Sequence, residues 1–497
     1  MTADSRRQAL AEAALVSGVA LLFVRWKLGQ WGGFADFDGH YHLKVVQWIA
    51  HQGLWADIPW LPFTVLGQRG PDHHWLWHLA LVPFTLIADP GAALAWAAAF
   101  NAAVTAGVVA FVLRSLGVPA APLFALLAFT AGEAMPFRMM MLRAQNVAVI
   151  FMFLSFWAIA RERWKTLALL AFLFLESYHA AVILLPMAAI GCVAYGFTKK
   201  EFVVTPLVAV AIGLTAALLV SPWYPRNIGY LIFHTLYKAA ASQDSASVSS
   251  LVGSEWYPAS FQQVLVDSWP AHALLIAGLI VLAFRRRWPA PDTWTAYGIA
   301  ILSMGLYLHA VRFAEYYIPF AVLAAALALR DAWPAASKPL VLAVAACLAA
   351  ALPVGLAGST PPKVLAPDHL ERVASKLNEL GQGGETVFNS AWPDFMALVW
   401  WADRFRYING LDGHYLAYQD PARFAIWLTL AGGGVEQPAQ IIEIVFGARF
   451  AVIARQHAAL AAQLRASPGV LLREESPEGW LFEFPPAAEE KQIPPAR

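Results

Sequence analysis

Apolar stretches close to the width of a lipid bilayer recur along this chain as far as residue 357. A hydrocarbon core about 30 Å thick takes about 20 apolar residues per crossing helix. Eleven stretches meet or approach that length: 9–29, 91–113, 117–132, 145–160, 165–177, 179–198, 202–221, 269–284, 294–311, 315–329 and 339–357. The stretch 165–177 is the weakest, since only ten residues separate Lys165 from Glu176. Composition agrees with this reading: 59% of residues are apolar and only 13% charged, against nearly half and a quarter in a soluble globule. The expected fold class is a polytopic α-helical membrane protein of about 11 spans. Net charge is +1, which gives no case for a nucleic-acid partner. Cys192 and Cys347 both lie inside apolar runs and read as inert thiols, with neither a disulfide framework nor a cysteine metal cluster. Arg6 and Arg7 precede the first run, which reads as a retained helix rather than a cleaved signal peptide.

Basic residues orient the spans, because Lys and Arg concentrate on the cytoplasmic side. The clusters are Arg6/Arg7, Arg114, Arg161/Arg163/Lys165, Lys199/Lys200, Arg285–Arg287 and Arg330/Lys338. Eleven spans put all six on one side. The run 75–88 would break that pattern as a span, so it is assigned to an interfacial helix of the first external loop. Residues 1–357 then form the transmembrane domain, with external loops 30–90, 133–144 and 222–268. The linker "GSTPPKVLAP" leads into an external domain, 358–497, periplasmic if the cell is a Gram-negative bacterium with this chain in its inner membrane. There "HLERVASKLNEL" reads as a helix, and "ETVFN", "RFAVIAR", "GVLLREES" and "GWLFEF" read as strands, which makes the domain α/β. The tail 486–497 is expected to be disordered.

Titratable groups collect at the external ends of the spans. "GGFADFDGHYHLK" carries Asp36, Asp38, His40 and His42 just after the first span. Glu133, Arg138 and Arg143 follow in the second loop, Glu176, Tyr178 and His179 after the fifth span, Glu255 in "VGSEWYP", and Arg312 and Glu315 in "VRFAEYYIP". Ionisable groups beside hydrocarbon are costly and usually functional. A carboxylate there suits a general base or a divalent-metal ligand such as Mg or Mn. Arginines suit phosphate, which a guanidinium can grip with two parallel hydrogen bonds. Together they fit a substrate with an anionic head and a greasy tail.

The series resembles the GT-C glycosyltransferases, especially the catalytic subunit of oligosaccharyltransferases. "DFDGHYHLK" is similar to the acidic motif of their first external loop, and Glu133 stands where their second acidic motif stands. "GSEWYP" looks like the short Glu-containing motif of a later external loop, and "RFAEYYIP" resembles the arginine motif that meets the donor phosphate. "NSAWPDFMALVWW" sits about where that family carries its Trp-Trp-Asp-Tyr-Gly acceptor motif, but departs from it. The resemblance implies an enzyme that moves a sugar from a polyprenyl-linked donor, phosphate or diphosphate, to a lipid, glycan or protein acceptor at the external membrane face. It assigns catalysis to Asp38, Asp36 and Glu133, donor-phosphate binding to Arg312, Arg138, Arg143, His40 and His42, and acceptor or loop roles to Glu255, Trp392 and Asp394. Asp38 and Glu133 are the candidate metal ligands.

Each residue also has a plainer reading. Asp38 can cap the helix that follows it, and Arg312 can pair with Glu315 three residues on. Trp392 and Asp394 can belong to the core of the external domain. His40 and His42, two residues apart, do not share a helix face, so zinc is not expected between them. His74 and His78 have the i, i+4 spacing that suits a metal, although aromatic anchoring at the interface also accounts for them. Two other functions stay open: an oligosaccharyltransferase acting on protein, and a transporter or flippase of lipid-linked substrates. A transporter needs a route to both membrane faces, whereas these charges gather at one.

Overall fold

A computed structural model describes residues 3–32, 37–55, 57–67, 70–238, 253–285, 288–332, 338–361 and 364–484. Asp36 and the tail 486–497 lie outside them. The chain divides into two compact units. One comprises residues 48–72 with the segment from 366 on, and the other the rest of the chain as far as Leu365.

The first unit is helical. Its elements are α1 (Ala3–Trp31), α2 (Asp38–Gln52, whose last turn falls to the second unit), α3 (Trp75–Leu81), α4 (Pro90–Ser115), α5 (Ala121–Thr130), α6 (Ala134–Met140), α7 (Gln145–Ala160), α8 (Trp164–Ser177), α9 (Leu184–Lys199), α10 (Thr205–Val220), α11 (Arg226–Ile232), α12 (Phe261–Asp267), α13 (Trp269–Arg285), α14 (Pro291–His309), α15 (Ala314–Ala332) and α16 (Lys338–Ala357). Each of the eleven expected stretches contains a helix. Among the described residues, four helical segments are long and apolar enough to cross a bilayer alone, or up to six if each of two bent pairs counts as one span. Those pairs are α5 with α6, bent by 94°, and α12 with most of α13, bent by 83°. The run 75–88 folds as α3 and a 3₁₀ turn, Val82–Leu86.

Local chemistry sets several helix starts. Asp89 caps α4, its carboxylate accepting from the Ala92 N–H at 2.5 Å, with Pro90 at the first helical position. α15 is apolar all round and almost wholly buried, as a central helix must be. It packs against α13, α14 and α5, while α1 lies along α4 and α8 along α10. Small residues let these helices approach closely: a Cβ on Gly213 of α10 would overlap the Ala168 carbonyl of α8. Leu22, Phe197, Ile212 and Phe284 point outward and exposed, as the sides of an integral membrane protein require. The two ends of α15 differ. Arg330 near its C-terminus bonds Asp292 at 2.7 Å and the Leu116 carbonyl at 3.1 Å. Arg312 precedes its N-terminus, roughly 28 Å away for 19 residues at 1.5 Å each.

The second unit is α/β. Its helices are α17 (Glu371–Leu380), α18 (Phe395–Trp401), α19 (Gly413–Gln419), α20 (Pro421–Ala431), α21 (Pro438–Phe446) and α22 (Ala458–Ala466). Its strands are β1 (Thr386–Asn389), β2 (Arg406–Tyr407), β3 (Ala448–Ala454), β4 (Leu471–Glu475) and β5 (Gly479–Glu483). The sheet order is β2-β1-β3-β5-β4. β1 runs parallel to β2 and β3, and β5 antiparallel to β3 and β4. The four strands read from sequence are all present; two-residue β2 is too short to leave a periodic signal. Phe388, Trp427, Ile442, Phe446, Leu460 and Phe482 fill the core. Asn389 ends β1 with its side chain satisfied, Nδ2 donating to the Asn409 carbonyl at 2.6 Å and Oδ1 accepting from the Ile408 N–H at 3.0 Å. Residues 48–72 complete this unit through buried Trp60, whose indole N–H donates to the Asp403 carbonyl at 2.6 Å and whose carbonyl accepts from the Tyr407 N–H at 2.8 Å.

Candidate active site

Five segments of the first unit bring their charges to one place. Asp38 is the first residue of α2, where a carboxylate also complements the helix dipole. The sharp bend between α5 and α6 turns Arg138 inward. Arg143 follows on a short non-helical stretch, its carbonyl held by the Asn101 amide of α4 at 3.2 Å. Glu255 lies in the 3₁₀ turn Ser254–Trp256, and Arg312 in the turn Val311–Phe313 that leads into α15 and Glu315.

The contacts form one chain. Arg143 Nη2 is 2.8 Å from Asp38 Oδ2, and its Nη1 is 2.5 Å from Glu255 Oε2. Glu255 also meets Arg138 at 3.1 Å and Arg312 at 3.4 Å. Arg138 Nε donates to buried Glu315. Arg312 Nη2 donates to the Tyr178 hydroxyl at 3.3 Å. The Arg312 guanidinium lies 4.2 Å from the centre of the Trp256 ring, and Lys238 Nζ lies 4.5 Å from the same ring. Burial alone would raise the pKa of Glu255, but Arg143, Arg312 and Arg138 hold it well below the usual carboxylate range. The named groups thus carry four positive charges (Arg138, Arg143, Arg312, Lys238) and three negative ones (Asp38, Glu255, Glu315).

Five of the eleven expected residues are in this network: Asp38, Arg138, Arg143, Glu255 and Arg312 converge. The expected pairing of Arg312 with Glu315 is replaced by Arg312 with Glu255 and Arg138 with Glu315 among the ion pairs of the described residues. Glu133 sits exposed at the α5–α6 bend and forms none of these ion pairs. Its backbone is tied down instead, the N–H donating to the Asp267 carbonyl at 2.8 Å. Trp392 and Asp394 belong to the second unit, in a 3₁₀ turn before α18, where Trp392 packs against the core.

Beside this network lie six histidines. His42, His74 and His78 form one group, and His73, His179 and His234 another, the ligand atoms within each group lying within 4.8 Å of one another. His42 Nδ1 and His78 Nε2 are 2.9 Å apart. The adjacent rings of His73 and His74 join the groups, their centroids 3.8 Å apart. Burial first, then the charge of neighbouring groups, holds His42, His73 and His74 well below the usual imidazole pKa. Buried His40, two residues before His42, packs on Phe37 and is lowered by burial to about 3. The i, i+4 spacing of His74 and His78 therefore does report a shared pocket. No sequence signal pointed to His234, a lone histidine in a π-helical turn, Phe233–Tyr237. Such turns gather at functional sites, but no spacing rule announces them. Lys238, just beyond, escaped for the same reason.

A metal held by Asp38 and Glu133 does not match this donor set. Among the described residues, the groups of three or more side chains able to hold a metal are the two histidine groups, and neither includes Asp38 or Glu133.

The chain matches no protein-family model and no curated protein. It does match solved structures. It is similar to the oligosaccharyltransferase of Archaeoglobus fulgidus tethered to an acceptor peptide, with a TM-score of 0.59 and 13% identity over 93% of this chain and 71% of that one. It is similar to ArnT from Cupriavidus metallidurans bound to undecaprenyl phosphate, with a TM-score of 0.59 and 13% identity over 94% of this chain and 97% of that one. The arabinofuranosyltransferase AftD from Mycobacteria gives a TM-score of 0.58 and 13% identity over 95% of this chain but 41% of its own length. Identity this low speaks for the fold, and in fold this chain resembles the GT-C superfamily of integral-membrane glycosyltransferases.

Proposed function

We propose that the chain transfers a sugar from a polyprenyl-phosphate or polyprenyl-diphosphate donor to an acceptor at the external membrane face. The observation that carries this is the network of Asp38, Arg143, Glu255, Arg138 and Arg312. Its named charges are positive by one, and Tyr178 and Trp256 line it. An anionic head would bring its own negative charge into that excess. The match to nearly the whole of ArnT, crystallised with undecaprenyl phosphate, supports a donor of that class. On the proposed eleven-span topology, with the arginine network external and Arg330 cytoplasmic, a polyprenyl tail would stay in lipid while its head meets water.

The step is then a displacement at the anomeric carbon. The acceptor oxygen forms a bond to that carbon as the bond to the donor phosphate oxygen breaks. The electron pair of the broken bond leaves on the phosphate, which Arg312 and the neighbouring guanidiniums stabilise. The acceptor proton passes to Asp38. Arg143 engages Asp38 Oδ2, so arrival of an anion that competes for Arg143 would release that oxygen.

The test is direct: incubate the purified protein with labelled polyprenyl-phosphate and polyprenyl-diphosphate sugars and a panel of lipid, glycan and peptide acceptors, and look for a labelled product. Transfer to any acceptor is expected. Absence of transfer, with labelled lipid crossing reconstituted vesicles, would replace the enzyme with a flippase.

A further inference from the structure

Six histidines within one unit, supplied by four separate segments, are more than packing requires. His42 lies on α2, His73 and His74 precede α3, and His78 lies on it. His179 opens a 3₁₀ turn directly after α8 and Tyr178. His234 stands in the π-helical turn Phe233–Tyr237. A neutral imidazole offers one lone pair, and a buried one left without a partner costs free energy. Nδ1 of His73 and Nδ1 of His179 are both buried without a hydrogen-bond partner. Two ring nitrogens at 2.9 Å, His42 Nδ1 and His78 Nε2, face each other with at most one proton between them.

We infer that the six histidines form a paired transition-metal centre of the zinc class, with one ion held by His42, His74 and His78 and a second by His73, His179 and His234. The donor set selects the metal. Imidazole suits zinc, cobalt, nickel and copper, whereas magnesium and manganese prefer oxygen ligands. Zinc–nitrogen bonds of about 2.0–2.1 Å place tetrahedral ligand atoms about 3.4 Å apart. The 4.8 Å bound within each group is a small rotamer adjustment away from that spacing. Three protein ligands per ion leave a fourth position open.

The centre would clamp the first loop to the end of α8 and to the π-helical turn. It would also fix the arginine network through one residue. The Tyr178 ring stacks on His74, with centroids 5.4 Å apart and planes 22° apart, while its hydroxyl accepts from Arg312. His179 is the next residue. One ion on His74 and the other on His179 would therefore hold Tyr178 from both sides and set the position of Arg312. This inference rests on the histidines alone and stands or falls separately from sugar transfer.

The experiment uses the full-length protein in detergent, with any affinity tag removed. The protein is stripped with chelator, re-equilibrated with zinc chloride in the presence of excess magnesium, and analysed for metal content. Cobalt loading in parallel reports nitrogen coordination by its visible absorption. Two zinc ions per chain are expected, falling to one in His42→Asn and to one in His179→Asn, with a zinc-dependent rise in melting temperature that each variant reduces. Melting without metal should be nearly unchanged in both, which separates ligand loss from misfolding. Wild-type protein that keeps less than a tenth of an equivalent of zinc would overturn the proposal. So would zinc content equal in wild type and both variants. One ion per chain, lost in only one variant, would overturn the pairing.

Discussion

The carboxylate of Asp38 lies 2.8 Å from the guanidinium of Arg143, and the same guanidinium lies 2.5 Å from Glu255. One arginine thus divides its charge between the proposed base and the most heavily neutralised acid of the site. Replacing Asp38 with Asn keeps the shape and most of the helix-start chemistry but removes the basic oxygen. Turnover should fall by about 10²–10⁴-fold, with melting temperature close to wild type in the same preparation. Wild-type turnover would reduce Asp38 to a helix start.

Arg312 holds Glu255, Tyr178 and the Trp256 face at once. Lysine keeps the charge but loses the planar fork. Arg312→Lys should weaken binding of the polyprenyl-phosphate donor by about 1–3 kcal/mol, read by titration calorimetry or by the KM for donor. Unchanged donor affinity in Arg312→Ala, in folded protein, would remove Arg312 from the donor site.

Arg138 and Glu315 are both buried and paired. Removing one partner leaves a buried charge without its counter-ion. Arg138→Met should therefore lower stability by about 3–5 kcal/mol. Adding Glu315→Gln should recover much of that loss while leaving transfer impaired. Thermal melts of the single and double variants check this; equal melting of the two would show that the pair is not coupled.

Gly358, just after α16, has no room for a side chain, since a Cβ there would overlap the Glu133 carbonyl oxygen. Gly358→Ala should push α16 away from the α5–α6 bend and lower the melting temperature, whereas Gly18→Ala, where a Cβ meets nothing within 4 Å, should not. Equal melting of the two variants would show that the bend has slack.

The sequence made the helices legible because a bilayer imposes length and apolarity on each crossing. It made Asp38, Arg138, Arg143, Glu255 and Arg312 legible because a charge at the end of an apolar run stands out against its neighbours. Partner choice was less visible. Arg312 and Glu315 are three residues apart, yet Arg312 reaches Glu255 and Glu315 reaches Arg138, because the turn before α15 changes the helical spacing on which the simple expectation rests. The histidine centre was half visible. His74 and His78 are joined by one backbone hydrogen bond at the start of α3, but His42, His179 and His234 come from other segments, and tertiary folding alone unites them. "LDGHY" repeats part of "FDGHYH" and also begins a helix, with Asp412 capping α19. That is shared local chemistry, the same short acid-glycine start serving two unrelated places.

Trp60 and Asp403 are 343 residues apart and share a hydrogen bond. The second unit is therefore discontinuous along the chain, Trp60 being made well before the backbone that packs on it. At about 5–20 residues per second, a ribosome leaves Trp60 waiting about 17–70 s for the backbone that will cover it. During that interval an indole destined for full burial has no home. A stop before Asp403 strands it permanently, and a fragment begun at residue 358 lacks a tryptophan from its own interior.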